Sequence, residues 1–500
     1  MSEPTLRMGT PTGRWVLLAT VLGSGVAMLD STVVNIALRH IGADLHTAFA
    51  GLQWTVNAYT LTLASLILLG GSLGDRFGRR RVFLIGVVWF ALASLLCGLA
   101  PNITVLVAAR AVQGIGGALL TPGSLAIISA SFGGADRSAA VGAWSGLGGI
   151  AGAIGPFLGG WLVQWTWRAV FLINLPLAVL VVVVALKHVP ESRDPSASPH
   201  TDLWGTVLVV LGLGATTAAL TSAGSGGATT WVAGMVGVAA LVSFVVVERK
   251  SSHPLVPLDI FASRRFSAAN LVTLLVYAAL GVVFLLLVLQ LQVVASFPVL
   301  LAGTALLPVT LIMLALSSRT GRLAQKIGPR IPMTAGPLVA ACGLLLTLRI
   351  GAHAHYLTDV LPAVVVFGLG LSLTVAPLTA TVLDSVDDRH AGLASGINNA
   401  VARAAGLLAV AVIPVVAGIS GGDYTDATAF DHGFHLSMII AACLLTLGAL
   451  LAFLAIPAPT PAPRVVPRLE LETCSHCGAV AGPAVYPEEQ GTSSAPVAGD

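Results

Sequence analysis

Residues 51–100 read GLQWTVNAYTLTLASLILLG (51–70), GSLGDRFGRRR (71–81) and VFLIGVVWFALASLLCGLA (82–100). Two apolar runs flank a short loop that carries Arg76, Arg79, Arg80 and Arg81. A helix needs about 20 mostly apolar residues to cross a hydrocarbon core of roughly 30 Å. Each run meets that length, and the arginines hold the loop between them in water. The stretch is therefore a membrane-spanning helical hairpin. A barrel strand would alternate polar and apolar residues; these runs are continuously apolar.

The same pattern repeats along the chain. Apolar runs fall at 15–37, 51–70, 82–100, 103–130, 138–162, 168–187, 203–222, 230–247, 268–291, 299–317, 332–350, 359–383, 393–419 and 434–456. The chain is thus expected to be an all-α integral membrane protein of fourteen spans. Composition agrees. Only 9% of the 500 residues are charged and 56% are hydrophobic, against roughly 25% charged in soluble domains. Such a chain cannot cover a water-facing surface. A net charge of +3 provides no basic face for nucleic acid. Five cysteines do not make a disulfide scaffold. The first apolar run is too long for a cleaved signal peptide and contains Asp30.

Orientation follows from the Lys/Arg bias of the loops. With the N-terminus in the cytoplasm, all but five of the 25 basic residues fall inside; Arg39, Arg168 and Arg349 fall outside, and Arg110 and Arg403 lie within spans. Both termini are expected in the cytoplasm, in a cell (plasma or inner) membrane. Lysine occurs only at 187, 250 and 326, and Ala, Gly and Val are abundant, the codon signature of a GC-rich bacterial genome. The expected organisation is an N-terminal segment 1–14, a six-helix bundle 15–187, and loops within 188–267 that flank two inserted helices (203–247). A second six-helix bundle, 268–456, and a Pro-rich, disordered cytoplasmic tail, 457–500, follow. A weak internal repeat supports the halves. Gly71 to Arg80 (GSLGDRFGRR) and Gly321 to Arg330 (GRLAQKIGPR) share the frame Gly-x-Leu-small-x-basic-x-Gly-x-Arg. Two bundles with a site between them is a common secondary-transporter design.

Ionisable residues at membrane depth are functional-site hypotheses by default. Of 22 acids only Asp30 falls well inside a span. Fifteen residues beyond Trp15, it lies ~22 Å from the cytoplasmic face at 1.5 Å per residue. Arg110 lies about 10 Å below the outer face, at similar depth. Two readings are open: a proton-carrying carboxylate whose pKa shifts as burial and the nearby Arg change, or a permanent bolt between the first and fourth spans. Buried pairs are weak stabilisers, which favours the first. Arg403, near mid-membrane, is either functional, snorkelling or bonded between helices.

The loop 71–80 resembles the signature loop of the major facilitator superfamily. The resemblance implies a gate built on Gly71, Asp75, Gly78, Arg79 and Arg80; the second copy has Gln325 in place of Asp75. Leu106 to Ala118 (LVAARAVQGIGGA) resembles the family's helix 4 motif, where the Arg is tied to proton transfer. Gly142 with Gly155, Pro156, Gly159 and Gly160 resembles the helix 5 motif of the antiporter branch, with Ala151 where Gly is usual. Leu29–Leu38 (LDSTVVNIAL), Gln53-Trp54 with Tyr59, Trp167-Arg168 with Phe171–Pro176 (FLINLP), and Ala394–Arg403 resemble the fourteen-helix drug:proton antiporters; Arg39 stands where Pro is common. The resemblance spans nearly all of 10–456. It implies a major facilitator fold, with two six-helix bundles plus two inserted central helices.

The function implied is proton-coupled export of hydrophobic or amphipathic small molecules by alternating access. Asp30 and Arg110 are the expected coupling residues; Asn35, Gln113, Asn398, Asn399 and Arg403 are the expected cavity residues. The alternatives are a dedicated exporter of one metabolite, such as a self-made antibiotic, or a proton-symport importer, which the 155–160 motif disfavours. No catalytic cluster, metal site, cofactor or nucleic-acid partner is expected; the partners are substrate, protons and lipid, and the chain is expected to act as a monomer. Cys474-Ser475-His476-Cys477 supplies at most three ligands where zinc takes four. The sequence carries no phosphate-binding Gly-rich loop with Lys and Ser/Thr, which argues against ATP as the direct driver.

Overall fold

Residues 6–193, 202–223, 227–251, 254–386, 391–419 and 426–457 are described by a computed structural model. The Cys474/Cys477 pair and the rest of the tail lie outside the described residues. Among the described residues there is no β-strand, only an isolated bridge between Leu6 and Phe132.

Helix α1 (Pro11–Asp44) opens with Thr10, whose side chain accepts a hydrogen bond from the Gly13 amide at 3.2 Å, and with proline in its first turn. It runs well past the apolar stretch 15–37, because hydropathy marks the lipid-facing core of a helix and not its watery ends. Helix α2 (Phe49–Phe77) stops at Gly78, whose φ of +112° suits only glycine, and α3 (Arg79–Gly98) starts at once. Helices α4 (Ile103–Ser131) and α5 (Gly134–Val163) follow.

The sixth span, expected to be continuous, is broken into α6 (Ala169–Leu172) and α7 (Asn174–His188). Proline 176 removes the donor that would bond the Leu172 carbonyl four residues back, which is where α6 ends. The two inserted helices are α8 (Leu203–Thr221) and α9 (Ala228–Lys250). The second half begins with α10 (Arg264–Val293). Its next span is split into α11 (Val299–Thr304) and α12 (Leu307–Ile327), with Pro308 four residues beyond Thr304. Gly328 ends α12 at φ +83°, as Gly78 ends α2, so the repeated loop frame encodes the same left-handed stop in both halves. Helices α13 (Arg330–Leu346), α14 (Leu361–Leu383), α15 (Ala391–Val416) and α16 (Ala427–Ala455) complete the chain.

Thirteen of these spans are long and apolar enough to cross a membrane. The 30-residue α5, apolar over Ile154–Val163, holds the fifth place in the series. Packing follows the repeat. In the first half α1 lies against α5, α2 against α4, and α3 against both α4 and α7. In the second, α10 lies against α15, α12 against α14, and α13 against both α14 and α16. The two bundles meet where α2 touches α15, where α5 touches α11 and α12, and where α1 touches α10.

Helices α1 and α10, the first of each half, are the most enclosed, with 67% and 72% of their membrane windows buried, whereas α9 has 11%. Helix α8 rests on α2 and α15, and α9 rests on α8. Trp204, Trp231, Met235 and Val238 stand exposed on this peripheral pair. That much bare apolar surface is untenable in water and costs nothing in lipid.

Candidate functional site

Asp30 on α1 and Arg110 on α4 come together. Arg110 Nη1 lies 2.5 Å from Asp30 Oδ2, with side-chain exposures of 1% and 0%. The pair sits in a closed net of donors. Gln113 Nε2 donates to Asp30 Oδ1 at 2.9 Å, and Asn174 Nδ2 donates to the same oxygen at 3.0 Å. Both amides also donate to Ser94 Oγ on α3, at 2.6 and 3.2 Å. Arg110 also donates through Nη1 to Gln113 Oε1 (2.6 Å) and through Nε to the Thr55 carbonyl of α2 (3.0 Å). Its guanidinium lies 4.4 Å from the ring centre of Tyr59 and 5.7 Å from that of Phe171. One carboxylate thus ties together α1, α2, α3, α4 and the α6–α7 span, all within the first bundle.

Gln113, expected to line a cavity, is instead fully buried inside this net. Its spacing explains why: three residues after Arg110, it stands on the same face of α4. Ser94, Asn174, Thr55 and Cys97, whose thiol approaches Gln113 Oε1 at 3.6 Å, were not anticipated. Asn174 and Tyr59 stood inside stretches the sequence singles out. Ser94 carries no signal, being one hydroxyl in an apolar span. Of the other cavity candidates, Asn398 donates to Asn270 Oδ1 (3.2 Å) and Thr273 Oγ1 (2.7 Å) on α10, within its own bundle. Asn399 is exposed and bonds back to the Ser395 carbonyl. Asn35 is half-buried with its Oδ1 unpartnered. Arg403 is half-buried and makes no hydrogen bond or ion pair among the described residues.

The glycine motif of α5 lies on the seam between bundles. A Cβ added at Gly159 would press on Val33 and Ile36 of α1 at 3.1 Å, and one at Gly160 would come within 2.8 Å of the Leu300 backbone on α11. Conversely, a Cβ at Gly303 would meet the Pro156 carbonyl at 2.6 Å. Gly155 packs on Thr32 of α1. These glycines let three helices close without side chains between them. Gly142 has open space around it. Three side-chain hydrogen bonds cross between the bundles among the described residues. Gln53 Nε2 donates to the Val410 carbonyl, Arg39 to the Gln292 carbonyl, and Gln292 Nε2 to the Ile36 carbonyl. All three lie at the end opposite the arginine-rich loops, so that end is shut.

At the arginine-rich end Asp75 pairs with Arg79 at 2.8 Å within its own loop. Glu191, just after α7, accepts from the Arg80 and Arg81 amides, both at 3.1 Å. It thereby caps the exposed donors at the start of α3. Among the described residues no group of three His, Cys, Asp or Glu side chains could hold a metal.

Residues 20–410 match the family model for the Major Facilitator Superfamily. The chain is 36% identical over 393 residues to the multidrug resistance protein Stp of Mycobacterium tuberculosis, covering 77% of this chain and 72% of that one. It is 34% identical over 479 residues to the puromycin resistance protein pur8 of Streptomyces alboniger, covering 92% and 95%. In architecture it resembles a bacterial homolog of the lysosomal transporter Spinster, with a TM-score of 0.63 at 16% identity, covering 90% of this chain and 100% of the other. With the repeated half-bundles, the twin glycine stops and the intramembrane charge pair, these similarities place the chain in the major facilitator superfamily.

Proposed function

We propose that this multi-pass membrane protein, a secondary transporter and not an enzyme, exports hydrophobic or amphipathic small molecules in exchange for protons. The observation that carries the reading is Asp30, a single carboxylate at membrane depth with 0% exposure and three side-chain donors. Two relatives, 36% and 34% identical to this chain, are named for multidrug and puromycin resistance. The chain works by alternating access between bundles at 15–187 and 268–456, in the cell membrane, as a monomer with both termini in the cytoplasm. The present conformation is closed at the outer end.

Asp30 exchanges its proton only when the helices around it part, because no solvent reaches it here. Ionised, it is an acceptor for Arg110, Gln113 and Asn174. Protonated, it becomes a donor, and the buried, unpartnered Asn174 Oδ1 is an acceptor in the same cluster. Protonation also releases Arg110 from its counter-ion, leaving its charge to the Thr55 carbonyl, Gln113 and the Tyr59 ring. That imbalance drives the rearrangement. Each proton entering is worth ~2.3 kcal/mol per 100 mV of membrane potential.

The test is a drug-susceptibility panel on a deletion strain complemented with wild type or Asp30→Asn. Wild type should raise resistance to some compounds and Asp30→Asn should not, at equal expression. Full protection by Asp30→Asn would overturn the coupling role. Protection against a single compound class would favour the dedicated-exporter reading, and uptake into right-side-out cells would favour the importer.

A further inference from the structure

The charge class of the transported compound follows from what the seam between bundles leaves unpaired. Helices α2 and α15 pack against each other there. Their register is set by two contacts: Gln53 Nε2 donates to the Val410 carbonyl at 2.7 Å, and a Cβ at Gly396 would meet Leu68 Cδ2 at 2.8 Å. The two helices therefore run antiparallel. Gly396, Arg403 and Val410 are spaced seven apart, close to two helical turns, so all three share the face turned to α2. Arg403 thus lies midway along the seam, level with Tyr59 and Thr60.

The two other readings of Arg403 fail on this geometry. No helix–helix hydrogen bond engages it among the described residues. Snorkelling is out of reach, since it stands about 18 Å from either end of α15 at 1.5 Å per residue. Nor is there a carboxylate to spare: Asp30, alone among the acids at depth, is consumed by Arg110, Gln113 and Asn174. A guanidinium does not discharge by losing its proton. At the same level, the Tyr59 hydroxyl is buried and has no hydrogen-bond partner among the described residues. This level of the seam therefore offers donors and positive charge; the buried Asn57 amide on α2 is also unpartnered but neutral, and no carboxylate among the described residues balances Arg403. A planar guanidinium fork matches carboxylate and similar paired oxygens in two parallel hydrogen bonds.

We propose that Arg403 and Tyr59 form the head-group site for an acidic substrate, a compound with a carboxylate or ionised phenol or enol on an apolar body, and that cations are disfavoured. This deepens the export reading and rests on it. It also puts the substrate one side chain from the proton site, because the Tyr59 ring covers Arg110 at 4.4 Å.

The test uses the full chain in lipid nanodiscs and two xanthene dyes of similar size and opposite charge, fluorescein and rhodamine 123, followed by fluorescence anisotropy. Fluorescein should bind saturably and more tightly than rhodamine 123. Arg403→Gln should weaken fluorescein at least tenfold, Arg403→Lys less, and Tyr59→Phe several-fold; rhodamine 123 should not weaken in Arg403→Gln. Tighter rhodamine binding, unchanged fluorescein affinity in a folded Arg403→Gln, or no saturable fluorescein binding to wild type would each overturn the proposal. Should Arg403→Gln fail to fold, the wild-type preference between the dyes decides. Binding needs no transport. Fluorescein selectivity without any export therefore sinks the export reading alone, and export of cations indifferent to Arg403 sinks this site alone.

Discussion

Two roles for the Asp30–Arg110 pair, proton carrier and structural bolt, separate in a double-mutant cycle. Removing one partner of a buried pair leaves the other charge uncompensated, at a cost of about 3–5 kcal/mol. Asp30→Asn does this to Arg110 and also turns an amide donor toward Nη1, which now sits 2.5 Å from Oδ2. Arg110→Gln does it to Asp30, though Gln113 and Asn174 still donate to Oδ1. The double variant buries two neutral amides in a cluster that still holds Ser94, Gln113 and Asn174. It should cost no more than either single change, so the coupling energy is expected at about 3 kcal/mol or more. Equilibrium unfolding in mixed detergent–SDS micelles measures the stability arm. Substrate-driven proton release in inverted vesicles, using a compound chosen by the susceptibility panel, measures the transport arm. A bolt predicts that transport returns with stability in the double variant; a proton carrier predicts that it stays lost. Costs that add within about 0.5 kcal/mol would refute the direct pairing, and coupled transport by the double variant would refute the proton role.

The packing carries two further expectations. A Cβ at Gly116 would come within 2.6 Å of the Phe90 backbone nitrogen on α3, whereas Gly142 has nothing within 4 Å; Gly116→Ala should therefore lower thermal stability by several degrees and Gly142→Ala should leave it unchanged in a fluorescence melt. At the arginine-rich loop, Gly78→Ala forces a side chain into φ +112° and against Glu191, for a cost of at least about 1–2 kcal/mol, while Glu191→Gln, which keeps an acceptor for only one of the two α3 amides and loses the charge, should cost about 1 kcal/mol.

Much of the molecule was legible because hydropathy is local. Each span could be counted from its own residues, and the Lys/Arg bias fixes an expected sidedness without any tertiary knowledge. The breaks before Pro176 and Pro308 were legible in principle too, since a missing donor acts four residues back on the same helix. What hydropathy blurs is where a helix ends outside lipid, as the overrun of α1 to Asp44 shows. The apolar signal fades there while the backbone bonding continues.

The site divides along the same line. The amino-acid sequence by itself singled out Asp30, Arg110 and Arg403, because a charge inside an apolar run is visible from the run alone, and 1.5 Å of rise per residue puts two of them at matching depth. It could not say which way each helix turns. The rotation of α3 and α7 that brings Ser94 and Asn174 onto the carboxylate, and of α4 that draws Gln113 into the net, was decided only in the tertiary structure. So was the contrast between the two deep arginines, one bonded within its bundle and the other without a hydrogen bond or ion pair among the described residues. A helix that is apolar all round carries almost no mark of which face its neighbours will take. That choice belongs to the packing of small residues such as Gly116, Gly159 and Gly160 against partners distant in the chain.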